Sequence, residues 1–292
     1  MKYKALRNIT AMATGAILLA ACNQSPSTDS AQDTEAAKTS KSDSDLLTRI
    51  NNGGTINVGT EGTYPPYTYH DEQNKLTGYD VEVTRAVADK LGVKVDFKET
   101  QWDAMLAGLD AKRFDMVANQ VSLTTPERQA KYDKAEAYSW SGAVVLAPKS
   151  DSRFNSWESL KGLKSAQSLS SNYGELAQKY QAEVVPVDGM AQAVELVKQG
   201  RADFTLNDNL AVLDYLNKFP NSDLEIKLKA PKEEMTGSGL VLLKGNDEVV
   251  AKLNQAMKEL QEDGTLTKLS QQFFGEDLSL IHISEPTRRR GI

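Results

Sequence analysis

Short apolar strands alternate with amphipathic helices from Thr55 to Phe274, and this alternation restricts the fold more than any other feature of the sequence. Thr55–Gly59 is a β-branched run that ends in glycine, and Tyr79–Leu91 places four apolar residues on one helical face. Gly92 follows at the position where a helix commonly ends. Such alternation predicts an α/β protein whose parallel sheets are covered by helices on both faces.

The same reading assigns the remaining elements. Further strands are predicted at Val93–Phe97, Phe114–Asn119, Gly142–Ala147, Lys164–Gln167, Ala182–Val187, Ala202–Leu206, Leu224–Leu228 and Ser238–Leu243. Further helices are predicted at Trp102–Ala111, Asn172–Tyr180, Met190–Val197, Asn209–Lys218, Val249–Leu260 and Thr265–Phe274. Asn172 and Glu175 have the spacing of a capping box, so Asn172 is the predicted cap of its helix.

The first 21 residues have the pattern of a secretory signal. Three basic residues precede an apolar stretch that is too short to span a bilayer, and small residues follow it. The segment Leu19-Ala20-Ala21-Cys22 resembles a bacterial lipobox, which implies that Cys22 is acylated and becomes the first residue of the mature protein. An ordinary signal peptide is the alternative. Because Cys22 is the one cysteine in the chain, disulfides, a thiolate nucleophile and a zinc–cysteine cluster are excluded.

Residues 22–45 are small and polar, which predicts a flexible tether between the lipidated cysteine and the folded domain. At the other end, residues 278–292 resemble the translation of a sequencing-library adapter, with a genuine basic tail as the alternative. Excluding that tail removes His282 and leaves His70 as a single histidine, so a histidine metal site is not expected.

The charge of the chain argues against partners that carry phosphate. The formal net charge is −6; the signal contributes +3 and the tail +2, which leaves −11 on the mature chain. An acidic protein is repelled by nucleic acids and by anionic lipid surfaces. We therefore expect no nucleic-acid partner, and contact with a membrane only through the lipid anchor.

Motifs in order along the chain carry a resemblance to a known family. These motifs are Gly59-Thr60-Glu61-Gly62-Thr63-Tyr64-Pro65-Pro66-Tyr67, Gly78-Tyr79-Asp80, Gln101-Trp102-Asp103, Asn119-Gln120-Val121-Ser122, Pro126-Glu127-Arg128, Leu206-Asn207-Asp208 and Glu262-Asp263-Gly264-Thr265. Together they resemble the polar amino-acid family of periplasmic solute-binding proteins, family 3. The residues in these motifs are more similar to those of the cystine-binding branch than to those of the glutamine or basic amino-acid branches.

The resemblance implies a two-lobe periplasmic-binding-protein type II fold with a ligand cleft between hinged lobes. It places the first lobe at residues 46–145 plus 239–277 and the second at 146–238. It also implies a monomer without a cofactor that delivers an amino acid, most simply L-cystine, to a cognate ABC permease. Lobes that close on a small molecule suit reversible capture.

A free amino acid needs a receptor that supplies one cation and one anion. The resemblance assigns the ligand carboxylate to Arg128, whose guanidinium can grip two oxygens. Asp208 is the candidate for the ammonium, because it follows the strand predicted at Ala202–Leu206, where an α/β lobe presents side chains to a ligand crevice. It also has the right type and position to cap the following helix. One extra residue between Ser122 and Arg128 departs from the family spacing, so the backbone contacts of that loop stay open.

Other predicted contacts surround these two charges. Ser170, Ser171 and Asn172 lie at a helix start, where free N–H groups suit a carboxylate, although simple capping is the alternative. By the resemblance, Asn119, Gln120 and Ser122 also contact the ligand. Tyr64, Tyr67 and Trp102 are the aromatic candidates for its side chain, with core packing as the alternative. Glu61 would meet a distal ammonium.

Two other classes remain open from the sequence. A periplasmic enzyme on the same fold would need a positioned titrating group, and a structural lipoprotein would need no ligand cleft. Among receptors, glutamine, glutamate and basic amino acids are the alternatives to cystine.

Overall fold

The computed structural model describes residues 46–278. The predicted signal, Cys22, the tether and residues 279–292 of the predicted tail lie outside these residues. Leu278, the first residue of that predicted tail, is buried, and its N–H donates to the Ser270 hydroxyl. Within the described part of the chain, no helix is both long enough and apolar enough to cross a membrane.

Strands and helices alternate as predicted. The strands are β1 Thr55–Thr60, β2 Thr63–Tyr64, β3 Thr68–His70, β4 Leu76–Thr77, β5 Lys94–Glu99, β6 Met116–Val117, β7 Tyr132–Lys134, β8 Ser139–Ser141, β9 Ala143–Pro148, β10 Lys164–Gln167, β11 Glu183–Pro186, β12 Thr205–Asp208, β13 Leu224–Lys229, β14 Thr236–Ser238 and β15 Val241–Leu243. The helices are α1 at residues 46–51, α2 Tyr79–Leu91, α3 Trp102–Asp110, α4 Pro126–Lys131, α5 Asn172–Lys179, α6 Met190–Lys198, α7 Asn209–Lys218, α8 Asp247–Glu262 and α9 Thr265–Phe274.

The main sheets are mixed, whereas the alternation predicted parallel ones. The first has the order β5-β1-β6-β15-β7, with β15 antiparallel to both of its neighbours. The second joins the parallel pair β10-β11 to the antiparallel strands β12-β9-β13 through a bridge between Ser165 and Phe204. Strands separated by a helix do pair in parallel at β1, β5 and β6. The antiparallel strands are those by which the chain enters or leaves a sheet.

The chain crosses between the two sheets twice, at β8 and at β14, which pair with each other. We call the elements from α1 to β7, together with β15 to α9, the first lobe, and those from β9 to β13 the second lobe. The predicted boundary between residues 145 and 146 falls inside β9, which pairs only with strands of the second sheet. If the lobes are defined by their sheets, the chain therefore passes from the first lobe to the second at β8, before the predicted boundary.

Both faces of each sheet are covered, as predicted. In β9, Val144 and Leu146 belong to the apolar cluster under α6 and α7, whereas Val145 and Ala147 belong to the cluster under α5. This alternation follows from the two-residue period of a strand. In the first lobe, α2 and α8 pack on one face of the sheet and α3 on the other.

Four local predictions were wrong in detail. The strand predicted at Ser238–Leu243 is divided between β14, which ends at Ser238, and β15, which begins at Val241. The strand predicted at Phe114–Asn119 is limited to Met116–Val117, because the following residues turn out of the sheet toward the cleft. The strand predicted at Ala202–Leu206 is Thr205–Asp208. The cap of α5 is Ser171, whose hydroxyl accepts from the Gly174 N–H, and Asn172 is the first residue of the helix.

Candidate functional site

A cavity of about 60 Å³ lies between the two lobes. This is room for a few water molecules. Seven of the predicted site residues line it, namely Glu61, Tyr64, Trp102, Asn119, Gln120, Ser171 and Asn172. The other five, Tyr67, Ser122, Arg128, Ser170 and Asp208, lie outside its lining.

The cavity is small because hydrogen bonds join the lobes across the cleft. The Tyr64 hydroxyl donates to Asn207 Oδ1 at 2.6 Å, and the Tyr67 hydroxyl donates to Asp208 Oδ1 at 2.7 Å. At the other end of the cleft, an Arg128 guanidinium N–H donates to the Ser170 carbonyl at 2.8 Å. The structure is therefore a closed arrangement of the two lobes.

Glu61 follows β1 and reaches the cavity from the first lobe. Its Oε2 accepts from Asn119 Nδ2 at 2.6 Å, and its backbone N–H donates to Asn119 Oδ1 at 2.7 Å. Burial raises the pKa of Glu61 to about 7; the Asn119 hydrogen bond opposes this shift and the charge of Asp103 adds to it. Among the described residues no cation pairs with Glu61, so its carboxylate is available to a positively charged group.

Gln120 is held by a buried carboxylate behind the site. Its backbone is in the left-handed region, with φ of 53°. The Asp80 carboxylate accepts from the Gln120 N–H at 2.8 Å and from its side-chain Nε2 at 2.6 Å, which stabilises this conformation. Burial raises the pKa of Asp80 to about 7, against these hydrogen bonds. Asp80 stands in a motif of the sequence analysis but was not predicted as a site residue.

Arg128 lies in the first turn of α4, whose cap is Thr125. The residue is 95 % buried, and its guanidinium donates to the carbonyls of Ser122 at 3.1 Å and Ser170 at 2.8 Å. No carboxylate among the described residues forms an ion pair with it. Burial lowers the pKa of Arg128, although the charge of Glu175 opposes that shift. The extra residue of the preceding loop has not displaced Arg128 from the cleft.

Unlike the Arg128 guanidinium, the Asp208 carboxylate is surrounded by hydrogen-bond donors of the protein. Its Oδ1 accepts from the Tyr67 hydroxyl and from the N–H groups of Leu210 and Ala211, and its Oδ2 accepts from the Ser141 hydroxyl. It therefore caps α7, the role that the sequence analysis held open beside ligand binding. Burial raises the pKa of Asp208, and these hydrogen bonds counteract it.

The aromatic candidates differ in their exposure to the cavity. Tyr64 and Trp102 are in its wall, whereas Tyr67 is fully buried with its ring 5.8 Å from that of Phe274. Tyr67 is thus a core residue whose hydroxyl reaches Asp208. Its ring packs between those of Tyr64 and Phe274, which is consistent with the core-packing alternative.

The second lobe supplies most of the cavity wall, and the sequence analysis missed much of it. The missed lining residues are Ala166, Gln167, Ser168, Tyr173, Val187, Gly189, Met190, Ala193, Thr205 and Asn207. Two of them carried a usable signal: Asn207 directly precedes Asp208 at the end of a strand, and Tyr173 directly follows Asn172. The others are ordinary strand and helix residues until the lobes meet.

Comparisons with known proteins agree with this architecture. Residues 56–276 match the model of the bacterial extracellular solute-binding proteins, family 3. The chain is 50 % identical over 244 residues to the L-cystine-binding protein TcyA of Bacillus subtilis, which covers 83 % of this chain and 90 % of that protein. It is also 50 % identical over 235 residues to a probable amino-acid ABC transporter-binding protein of Haemophilus influenzae, covering 80 % and 90 %.

Two solved structures bear on the position of the lobes. The L-cystine solute receptor of Neisseria gonorrhoeae, in the unliganded open conformation, is 64 % identical over 80 % of this chain and 98 % of that one, with a TM-score of 0.56. An ancestral arginine-binding protein bound to arginine is 33 % identical over 76 % and 99 %, with a TM-score of 0.70. The more similar sequence superposes less well, as expected when similar lobes are open in one structure and closed in the other.

The matches settle the class of the protein. The relatives are binding proteins of ABC transporters, so the enzyme alternative is not supported. The family is extracellular, which places the protein in the periplasm or at the cell surface. The matched residues include both lobes and the whole described cleft. The chain belongs to the bacterial extracellular solute-binding proteins, family 3.

Proposed function

We propose that this protein captures L-cystine outside the cytoplasm and delivers it to an ABC permease. The observation that carries the proposal is a pair of opposite charges at the cleft that lack ionic partners among residues 46–278. Arg128 donates only to two carbonyls, and Glu61 accepts from the Asn119 amide. A zwitterion would neutralise both charges.

Cystine carries an ammonium and a carboxylate at each end. We propose that Arg128 and Asp208 bind one end, and that Glu61 meets the ammonium of the other. Trp102, Tyr64 and Met190 would then surround the disulfide, since sulfur packs favourably on aromatic rings. The relatives named for cystine support this choice of ligand.

The cleft must open to admit this ligand, because a cavity of about 60 Å³ is smaller than a typical small-molecule site of about 300 Å³ or more. Separation of the lobes would break the Tyr64–Asn207 and Arg128–Ser170 hydrogen bonds. Closure on cystine would then replace part of this set with contacts to the ligand.

A basic amino acid such as arginine is the second candidate. Glu61 could pair with a guanidinium as well as with an ammonium, and the arginine-bound ancestral protein is 33 % identical to this chain. The two ligands differ in the distal carboxylate, which cystine has and arginine lacks.

The cellular arrangement follows the same proposal. Cys22 would carry the lipid, residues 23–45 would act as the tether, and the protein would work as a monomer beside its permease. Labelling with a fatty-acid analogue, compared between the full chain and Cys22→Ala, tests the anchor: label in both would contradict it.

Calorimetric titration tests the ligand. The chain without residues 1–22 is unfolded and refolded to remove bound solutes, then titrated with cystine, cysteine, glutamine, arginine and glutamate. We expect one-to-one binding that is tightest for cystine. Tighter binding of another amino acid would overturn the choice of cystine, and no binding by folded protein would overturn the receptor.

Mixed disulfides sharpen the assignment of Glu61. Cysteine joined to cysteamine keeps the distal ammonium, whereas cysteine joined to 3-mercaptopropionate keeps only the distal carboxylate. We expect the ammonium compound to bind at least about tenfold more tightly, because a charge-assisted hydrogen bond is at stake. Glu61→Gln should remove most of that preference, whereas Glu183→Gln, at an exposed position that starts β11, should keep it.

A further inference from the structure

Two buried donors beside Arg128 have no hydrogen-bond partner among residues 46–278. They are the indole Nε1 of Trp102 and the hydroxyl of Ser122, and both atoms are shielded from solvent. Buried donors in native proteins are almost always satisfied, so an unpaired one at a binding cleft indicates a partner that arrives with the ligand. Ser122 as a whole residue is 98 % buried.

The position of Trp102 is set by packing. It is the first residue of α3, and its ring packs against the apolar cluster of Met105, Leu109, Phe114 and Val117 while forming part of the cavity wall. The ring is thereby held in the wall, so the direction of its N–H is decided by the protein rather than by the ligand.

One cation lies over the ring of Trp102. The guanidinium carbon of Arg128 lies 6.0 Å from the centroid of its ring, and Arg128 itself donates to the carbonyl of Ser122. The neighbouring Asp103 carboxylate accepts from the N–H and hydroxyl of Ser170, at 3.0 and 2.6 Å, instead of from the indole. A guanidinium with two neighbouring residues whose donors have no partner within residues 46–278 is suited to an anion.

We propose that the Trp102 indole N–H donates a hydrogen bond to the ligand carboxylate held by Arg128. This inference rests on the proposed function, because it takes the ligand to be an amino acid bound in the same cleft. Trp102 then determines specificity as a donor, and not only as an aromatic wall. A phenylalanine at this position would keep the apolar face and lose the donor.

An isosteric replacement tests the donor directly. 3-Benzothienyl-alanine at position 102 keeps the bicyclic ring and replaces the N–H by sulfur; Trp102→Phe is the simpler variant. We expect cystine affinity to fall about 10- to 100-fold in both, the loss typical of one hydrogen bond to a charged group. Trp157→Phe, in a ring pair with Tyr180 away from the cavity, should leave affinity unchanged. Unchanged cystine affinity in the benzothienyl protein would overturn the proposal.

Nuclear magnetic resonance gives a readout that packing alone would not move. The chain has three tryptophans, so three indole N–H signals are expected, and Trp102→Phe assigns the relevant one. On adding cystine, we expect the Trp102 signal to move downfield and its exchange with water to slow, while the Trp157 signal stays in place. A Trp102 signal that changes no more than that of Trp157 would overturn the donor role.

The outcomes separate the inference from the proposed function. Cystine binding by the wild-type protein with no effect at Trp102 overturns the inference alone. If wild-type protein binds another amino acid instead, the cystine assignment fails and the same two measurements with that amino acid decide the inference. If folded protein binds no amino acid, both fail.

Discussion

Arg128 and Asp208 are both buried charged residues at the cleft, and they differ in what surrounds them. The Asp208 carboxylate accepts four hydrogen bonds from the protein, two of them from the start of α7. The Arg128 guanidinium donates to two backbone carbonyls and has no anionic partner in the described chain. The protein itself supplies the hydrogen bonds that stabilise the charge of Asp208, whereas Arg128 would obtain an anionic partner only from a bound ligand.

This difference predicts unequal roles for the two residues. A buried charge with few partners gains most from an arriving counter-charge. A carboxylate that is already hydrogen-bonded gains less, and its main part in the closed structure is to hold Tyr67 and cap α7. Ligand binding should therefore depend more strongly on Arg128 than on Asp208.

The largest expected effect is that of Arg128→Met. Loss of a bidentate contact to a carboxylate should weaken cystine binding by more than about 100-fold, since each charge-assisted hydrogen bond contributes about 1.5–3 kcal/mol. Calorimetry measures it. Arg153→Met is the matched control, because Arg153 pairs with Asp151 and Asp203 and does not line the cavity. An Arg128→Met protein that binds cystine as tightly as the wild type would remove Arg128 from the site.

Asp208→Asn should have a smaller effect on binding, about tenfold, and little effect on stability. Asparagine caps helices about as well as aspartate, and the Ser141 hydroxyl can rotate to accept from the new amide. Removing the buried charge also removes its desolvation cost. Urea unfolding and calorimetry measure the two quantities. If this variant weakens binding more than Arg128→Met does, the proposed ranking is reversed.

Glu61 resembles Arg128 more than Asp208, since it has one side-chain partner, and this predicts a pH dependence. With a pKa of about 7 in the closed structure, Glu61 is mostly ionised above that pH and mostly protonated below it. Because a ligand ammonium needs the carboxylate, cystine affinity should rise between pH 5.5 and 8 by about tenfold or more. Titrations across this range measure it.

The same raised pKa affects stability in the opposite direction. Protonation of Glu61 contributes stability that is fully present below its unfolded pKa, near 4.5, and is lost as pH rises through about 7. Glu61→Gln should flatten both profiles, and at pH 5.5 its affinity should match that of the wild type. A wild-type affinity that is independent of pH would contradict the pairing of Glu61 with the distal ammonium.

The smallest expected effect concerns the bond that ties the Arg128 end of the cleft shut. Asp103 accepts from Ser170 across the lobes and is exposed, so Asp103→Ala should raise the rate of cystine release about two- to fivefold. Stopped-flow displacement measures it. Asp110→Ala is the control on the same helix, because Asp110 bonds Tyr132 within the first lobe. If the two substitutions change the rate of cystine release equally, the Asp103–Ser170 hydrogen bonds do not hold the cleft closed.

The sequence by itself determined the class of fold, most of the elements and part of the cavity lining. Helices α2, α7 and α9 begin and end where the periodicity predicted, and seven predicted residues line the cavity. Local patterns suffice for these features because helix and strand periods show which face is apolar, and because motifs stay at the ends of the same strands.

Only the tertiary structure decided which hydrogen-bond and ionic partners those residues have. Tyr64 and Asn207 are 143 positions apart, and Asp80 and Gln120 are 40 apart, yet each pair is hydrogen-bonded. How many donors surround Asp208 depends on how the two lobes meet. The same is true of the lack of an anionic partner for Arg128, and of an acceptor for the Trp102 N–H, within residues 46–278. No local period encodes that meeting, because it is set by the crossing strands β8 and β14 and by contacts between residues distant in sequence.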